Sequence, residues 1–347
     1  MSQKQKLASK IIMSIKKVAD IAGVSIATVS RYFNNPGMVR KETLDKVESA
    51  IKAINYQPNT LAKNFRRGRS GIIVVVVHNI GDPLYENLTK TITCTAQSKG
   101  YDILIKETGH NHLPLEYYRD MLNSKQVDGL IVMVDLPRLD RESQTALKDL
   151  PIVLVKGENT LDNDLGDHIG FDNYDAGATA AQHLVELGHQ HIACLSKSER
   201  NTAYRKRKAG FIDTLKTFGL YRSDYIFNVP INTNNSEQTI TQLLALTPLP
   251  TAIFCLDDDL AIDTLYIAKQ QNIDIPQQLS IIGFNNIRYS INTAPPLTTI
   301  EQPIADIAQH SIEVLCAKME GISSQSASHL DFKHRLIVRS STTSPSS

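Results

Sequence analysis

No apolar run in this 347-residue chain exceeds the six residues Ile72–Val77, whereas a helix that crosses a membrane needs about 20. A membrane span is therefore excluded. Cysteine is scarce: Cys94, Cys194, Cys255 and Cys316 are widely spaced, form no CxxC pair and lie in apolar segments. They are expected to be buried thiols in a reducing cytoplasm rather than disulfides or a zinc site. Lys4, Lys6 and Lys10 are followed by no apolar stretch, so no secretory signal is visible. The chain has no G-x-S-x-G, Walker A, G-x-G-x-x-G or HExxH motif, which leaves enzyme activity without residue-level support. His110-x-His112 and His189-x-His191 have metal-like spacing, but no Cys, Asp or Glu pattern completes them. No metal and no cofactor is expected.

Net charge is also nearly absent, at +1, but the balance hides an asymmetry. Residues 1–69 carry 14 Lys and Arg against 4 Asp and Glu, a net of +10. The remaining 278 residues carry 23 against 32, a net of −9. This division suggests a basic module that meets a polyanion, joined to an ordinary acidic domain. A hydrophobic share of 41% is ample for a large core and argues against disorder over most of the chain.

What is present falls into two textures. Residues 1–13 are polar and Lys/Ser/Gln-rich, a disordered arm. Ser14 is placed to cap a helix over 15–21 that stops at Gly23, and Ser25 a second helix over 26–33. A third runs from about Lys41 to Ile54, with Leu44, Val47, Ile51 and Ile54 on one buried face. Residues 59–66 suit a short helix, and Arg67–Gly71 a linker. From Ile72 onward short apolar runs alternate with amphipathic stretches in two series. The pattern predicts an α/β fold with two Rossmann-like parallel sheets, each covered by helices on both faces.

The strongest local signal is the run Val18–Arg31. Its two short helices meet at Gly23, which supplies a left-handed turn. Val18, Val24 and Val29 form a mini-core, and Ala19 lets the helices approach. The second helix then presents Ile26, Ala27, Thr28, Ser30 and Arg31 mostly outward. Hydroxyls and free N-terminal N–H groups, beginning at Ser25, suit phosphates. Arg31 suits guanine, and Ile26 and Ala27 suit thymine methyls. The other reading is a structural helical hairpin; the charge of +10 on this segment favours DNA.

This segment resembles the headpiece of the LacI/GalR family of bacterial transcription regulators. Asn34, Val39, Thr43 and Asn55-Tyr56-Gln57-Pro58-Asn59 extend the match. So do Asp82-Pro83-Leu84-Tyr85, Val127–Ile131, Gly188–Ile192, Ser280–Phe284 and Pro295–Ile300. Coverage is about residues 14 to 343. The segments Asn59–Arg69 and Ile281–Ile287 lean toward purine- and cytidine-repressor-like members.

The resemblance implies a helix-turn-helix headpiece over 14–57 and a hinge helix and linker over 58–70. A two-lobed periplasmic-binding-protein-like domain over 71–343 would bind effector and dimerise, the chain crossing between lobes. Ser25, Ile26, Ala27, Thr28, Ser30, Arg31, Asn34, Tyr56, Asn59, Lys63, Phe65 and Arg66 would meet DNA. Phe65 stands where the family usually has a Leu that wedges open a central base step. Phe is able to do so, and a linker aromatic packed on the regulatory domain is equally open. Arg40 stands where the family often has a capping Ser or Thr. The effector would lie between the lobes against Leu84, Tyr85, Lys156, Phe171, Arg207, Asp257, Asn285 and Gln302. Two departures bear on its identity. Asn285 replaces the family's usual Asp, and an amide both donates and accepts hydrogen bonds. Lys156 replaces an Asp or Asn, which favours an anionic ligand.

These readings converge on a cytoplasmic, homodimeric, sequence-specific regulator, most simply a repressor. Its partners would be pseudo-palindromic double-stranded operator DNA and a sugar, nucleoside or phosphorylated metabolite. The alternative is a small-molecule binding protein without specific DNA recognition.

Overall fold

The computed structural model describes residues 15–56, 68–108, 115–134, 150–155, 168–197, 202–230, 236–322 and 329–345. The chain divides into two compact units, Met1–Gly71 and Ile72–Ser347.

In the first unit, helix α1 (15–22) ends at Gly23, whose φ of 64° reverses the chain as only glycine does without strain. Val24 N–H closes the turn on the Ala19 carbonyl at 3.0 Å. Helix α2 (Ile26–Asn34) is capped by Ser25, whose Oγ accepts from Thr28 N–H at 3.1 Å. Helix α3 (Lys41–Ala53) packs across both: Val18, Ala19, Val29, Val47 and Ala50 are buried together. Tyr32, Phe33, Ile51, Ile54 and Tyr56 surround them half-buried. Of the mini-core expected from Val18, Val24 and Val29, Val18 and Val29 are buried and Val24 packs against them half-buried, while α3 contributes the rest. Arg40 begins α3 with no side-chain bond to the helix end. Arg40→Ser is therefore expected to stabilise this unit by about 0.5–2 kcal/mol, read as a shift of its thermal unfolding.

Among the described residues, the second unit contains two six-stranded sheets. The first is built from β1 (Ile72–Val77), β2 (Asp102–Glu107), β3 (Gly129–Val132), β4 (Ile152–Val155) and β5 (His168–Phe171). The second is built from β6 (Ile192–Ser196), β7 (Ile226–Asn228), β8 (Ala252–Cys255), β9 (Ser280–Phe284) and β10 (Thr298–Glu301). Two late strands complete them: β11 (His329–Phe332) joins the first and β12 (Arg335–Ile337) the second. The orders are β11-β5-β4-β3-β1-β2 and β12-β10-β9-β8-β6-β7. Every pairing is parallel except β10 with β12. The chain thus crosses between sheets after β5, between β10 and β11, and between β11 and β12.

The run Ile72–Val77 shows why a parallel strand reads as continuously apolar. Ile73, Val75 and Val77 enter one buried cluster while Val74 and Val76 enter another on the opposite face. Helices α4 (Pro83–Ser98) and α5 (Leu115–Asn123) belong to the first series. The second series holds α6 (Asn173–Glu186), α7 (Thr202–Thr217), α8 (Glu237–Leu244) and α9 (Asp258–Gln270). The last helix, α10 (Ile304–Met319), returns to pack on α4 and β4, which carries the chain back to the first sheet.

Three strands were not foreseen as strands: β7, β10 and β11. Each is as short as β3, β4 and β8 but includes polar residues, so no continuous apolar run marks it. The expectation of four buried thiols needs correction: Cys194 and Cys255 are buried, Cys316 is intermediate and Cys94 is exposed. Cys94 lies on the outer side of α4, where its apolar neighbours Ile92 and Ala96 face inward. The arm, the helix expected over 59–66, and His110 with His112 lie outside the described residues. Among the described residues no helix is long and apolar enough to cross a membrane, and no cluster of His, Cys, Asp and Glu suits a metal.

Candidate functional site

The first unit exposes one face of α2. Ile26, Ala27 and Arg31 are exposed, Thr28 and Ser30 half-buried, while Val29 points into the core. Ser25 Oγ also lies 2.8 Å from Thr28 Oγ1, so two hydroxyls stand together at the helix N-terminus. A row of apolar, hydroxyl and guanidinium groups on one exposed helix face suits base edges flanked by phosphates. Tyr56 is half-buried, its ring 6.0 Å from that of Phe33, so it supports the core that carries α2. Asn59, Lys63, Phe65 and Arg66 lie outside the described residues, as does the side chain of Asn34.

In the second unit, the C-terminal ends of β5, β8, β9 and β10 converge, the usual place for a ligand in open α/β sheets. Phe171 ends β5 of the first sheet and Phe284 ends β9 of the second; their rings stack with centroids 6.2 Å apart. Arg207 of α7 lies over Phe284, its guanidinium carbon 3.7 Å from the ring centre. Only 1% of Arg207 is exposed. Its Nε donates to Asn173 Oδ1 at 2.7 Å and its Nη1 to the Leu256 carbonyl at 3.1 Å. Burial pulls its pKa down to about 10, so it remains charged at neutral pH.

Asp257 caps α9, accepting from Leu260 N–H at 2.8 Å. The same carboxylate accepts from Tyr204 Oη at 2.7 Å and pairs with Lys197 Nζ at 3.0 Å. Lys197 also reaches Asp259 at 3.4 Å. Burial alone would lower the Lys197 ammonium, but Asp257 and Asp259 outweigh it and raise the pKa. Burial, reinforced by Asp257, raises the Tyr204 phenol well above its ordinary value. Asn285 and Gln302 are buried against each other, Gln302 Nε2 donating to Asn285 Oδ1 at 2.6 Å. Leu84 and Tyr85 are buried on α4, with Tyr85 Oη donating to the Met133 carbonyl at 3.3 Å. Of the eight expected effector residues, Lys156 alone lies outside the described residues.

Asp258 is a different kind of group. It is fully buried and accepts from Thr299 Oγ1 at 2.6 Å and from Ile287 N–H at 2.8 Å. It thereby holds the loop that carries Asn285. Burial raises its pKa to about 7 from the ordinary 3.8. The unfolded chain loses this proton first, so the contribution of Asp258 to stability declines as pH rises between those values. Asp258→Asn is expected to remove that decline, seen by comparing urea unfolding of both proteins at pH 5 and pH 8.

Sequence reasoning did not single out Asn173, Lys197, Tyr204 or Phe284. Phe284 sits in a quoted motif, and Tyr204 lies three residues before Arg207 on one helix face. Those signals were available; the partnership of Asn173 with Arg207, 34 residues apart, was not.

Residues 14–59 match the family described as bacterial regulatory proteins, lacI family, and residues 181–342 a periplasmic binding protein-like domain. The transcriptional repressor CytR of Escherichia coli (strain K12) is 33% identical over 330 residues, covering 95% of this chain and 96% of that protein. The chain belongs to the LacI family. The repressor PurR of Mannheimia succiniciproducens is 30% identical over 333 residues, covering 94% of this chain and 98% of its own length. A structure of the lac repressor dimer bound to operator and an anti-inducer superposes with a TM-score of 0.79 at 24% identity, covering 94% of this chain and 98% of that one. That likeness supports the two-sheet architecture. This LacI-family chain is a DNA-binding transcriptional regulator with an effector-binding domain. A binding protein without DNA recognition is not favoured, because the match to full-length repressors includes the headpiece.

Proposed function

We propose that the chain is a cytoplasmic homodimeric repressor. Two headpieces place α2 in successive major grooves of a pseudo-palindromic operator. Ser25, Ile26, Ala27, Thr28, Ser30 and Arg31 read and grip it, with Asn34, Tyr56, Asn59, Lys63, Phe65 and Arg66 alongside. A sugar, nucleoside or phosphorylated metabolite binds at Leu84, Tyr85, Lys156, Phe171, Arg207, Asp257, Asn285 and Gln302. It controls DNA binding through different affinities for two arrangements of the domain. The domain boundaries expected from sequence, 14–57, 58–70 and 71–343, belong to this reading.

The observation that carries it is the buried Arg207 guanidinium, set at the converging strand ends between the Phe171–Phe284 stack and the Asp257 carboxylate. The names and titles of the relatives, CytR and PurR as repressors and the lac repressor as an operator-bound dimer, support the DNA-directed half.

The test is a thermal-shift screen of the full chain against nucleosides, sugars and phosphosugars. A compound present at 100 times its Kd stabilises the folded state by about 2.7 kcal/mol. In Arg207→Ala the shift and any DNA response to that compound are expected to vanish, with DNA binding retained. An unchanged shift in Arg207→Ala would remove Arg207 from the site.

A further inference from the structure

Arg207 is held on three sides, and one of its holders has no other evident task. Asn173 is the first residue of α6 and follows directly on the crossover from the first sheet to the second lobe. Helix α6 does not need the Asn173 amide as a cap. Asp172 does that work, its Oδ1 accepting from Tyr174 N–H at 2.8 Å and from Asp175 N–H at 3.0 Å. The Asn173 side chain turns inward instead and is 1% exposed. Its Oδ1 accepts from Arg207 Nε at 2.7 Å, while its Nδ2 lies 3.5 Å from the carbonyl of Phe171, the last residue of β5.

The other two sides are equally defined. Nη1 donates to Leu256 O, the residue before Asp257, and one face of the guanidinium lies on Phe284. The backbone beneath is fixed too: α6 and α7 touch at Gly177, where an added Cβ would stand 2.0 Å from the Arg207 carbonyl. Arg207 Nη2 makes no hydrogen bond to any of the described residues. A planar fork is suited to this arrangement, with Nε and Nη1 engaged by protein and Nη2 left to a ligand.

We propose that Asn173 is a positioning residue for Arg207. By holding Nε it aims Nη2 at a hydrogen-bond acceptor of the effector and ties the guanidinium to the crossover between the lobes. The inference rests on the reading that Arg207 faces the effector. Its immediate consequence, the state of the Nε–H, is observable with no ligand present.

The experiment uses the full chain labelled with 15N-arginine, without effector. The Arg207 Nε–H resonance is the one that disappears in Arg207→Lys. In the wild type it is expected to exchange slowly with water and to be displaced by the Phe284 ring. Asn173→Ala is expected to accelerate its exchange roughly tenfold or more, with circular dichroism showing retained helix. Asn173→Asp, whose carboxylate accepts the same bond, is expected to keep exchange slow. Asn173→Leu, close in size but without an acceptor, is expected to behave like Asn173→Ala and replaces it if that variant does not fold. Wild-type exchange in the Ala or Leu variant would overturn the assignment. So would equally fast exchange in the Asp variant, since the side chain would then act by shape and not by accepting a bond. If no compound loses its effect in Arg207→Ala, the effector reading fails on that separate measurement, and the Nε–H result still reports on the Asn173 bond.

Discussion

Gly177→Ala is expected to lower the unfolding free energy of the second unit by about 3 kcal/mol or more, the upper end of overpacking penalties. The reason is geometric. A Cβ at Gly177 would meet the Arg207 carbonyl oxygen at 2.0 Å, and one at Gly210 would meet the Tyr174 carbonyl oxygen at 2.0 Å. Both contacts are with backbone, so no side chain can swing aside and α6 and α7 must separate. The displaced atom belongs to Arg207 itself, so the Nε bond to Asn173 is disturbed together with stability. The two substitutions relieve one another once the helices have parted, and the double variant is expected to lose less than the sum of the singles. Gly37→Ala is the control: nothing lies within 4 Å of its added Cβ, and the change is expected to stay within about 0.5 kcal/mol. Urea unfolding of the four variants measures all of this. Equal stability for Gly177→Ala and Gly37→Ala would show that the helices are not in contact as described.

The second large effect is expected at Arg31. Its side chain is exposed on α2 and takes no part in the buried cluster of the first unit, so removal leaves the headpiece folded. Arg31→Ala is expected to weaken binding to the preferred site by about 1–3 kcal/mol and to relax base preference at one position. Binding to random DNA should fall much less. Fluorescence anisotropy on a selected fragment and a scrambled one separates the two. Equal losses on both would make Arg31 a phosphate contact without a role in base reading.

The headpiece was the most legible part of the sequence. Ser25 as cap, Gly23 as left-handed turn and Val18 with Val29 as core are all local decisions, made within a few residues. The alternation of strands and helices from Ile72 onward was legible for the same reason. What the local pattern did not show was the strand that completes the first sheet as the chain returns to it. Strand β11 reads His-Leu-Asp-Phe, four residues with polar members, and pairs with β5 more than 150 residues earlier. Only tertiary placement makes it a strand. The effector site shows the same limit. Arg207 was reached through a family resemblance and Asp257 through its place at a strand end. The bonds that define their state come from Asn173, Leu256, Tyr204 and Lys197, which meet them through the fold and leave no local pattern. The near-neutral charge of the whole chain is similarly a sum over two modules, +10 on the part that meets DNA and −9 on the rest.

The central claim, sequence-specific DNA binding by the basic module of an effector-controlled regulator, is tested most directly by a salt titration. Binding of the full chain to a palindromic fragment selected from random sequence is measured beside a scrambled fragment between 50 and 200 mM salt. The selected fragment is expected to bind more tightly at every salt concentration. Both affinities are expected to fall steeply, by about 10³-fold or more if each complex engages about six phosphates or more. Equal affinity for the two fragments across the range would contradict the account.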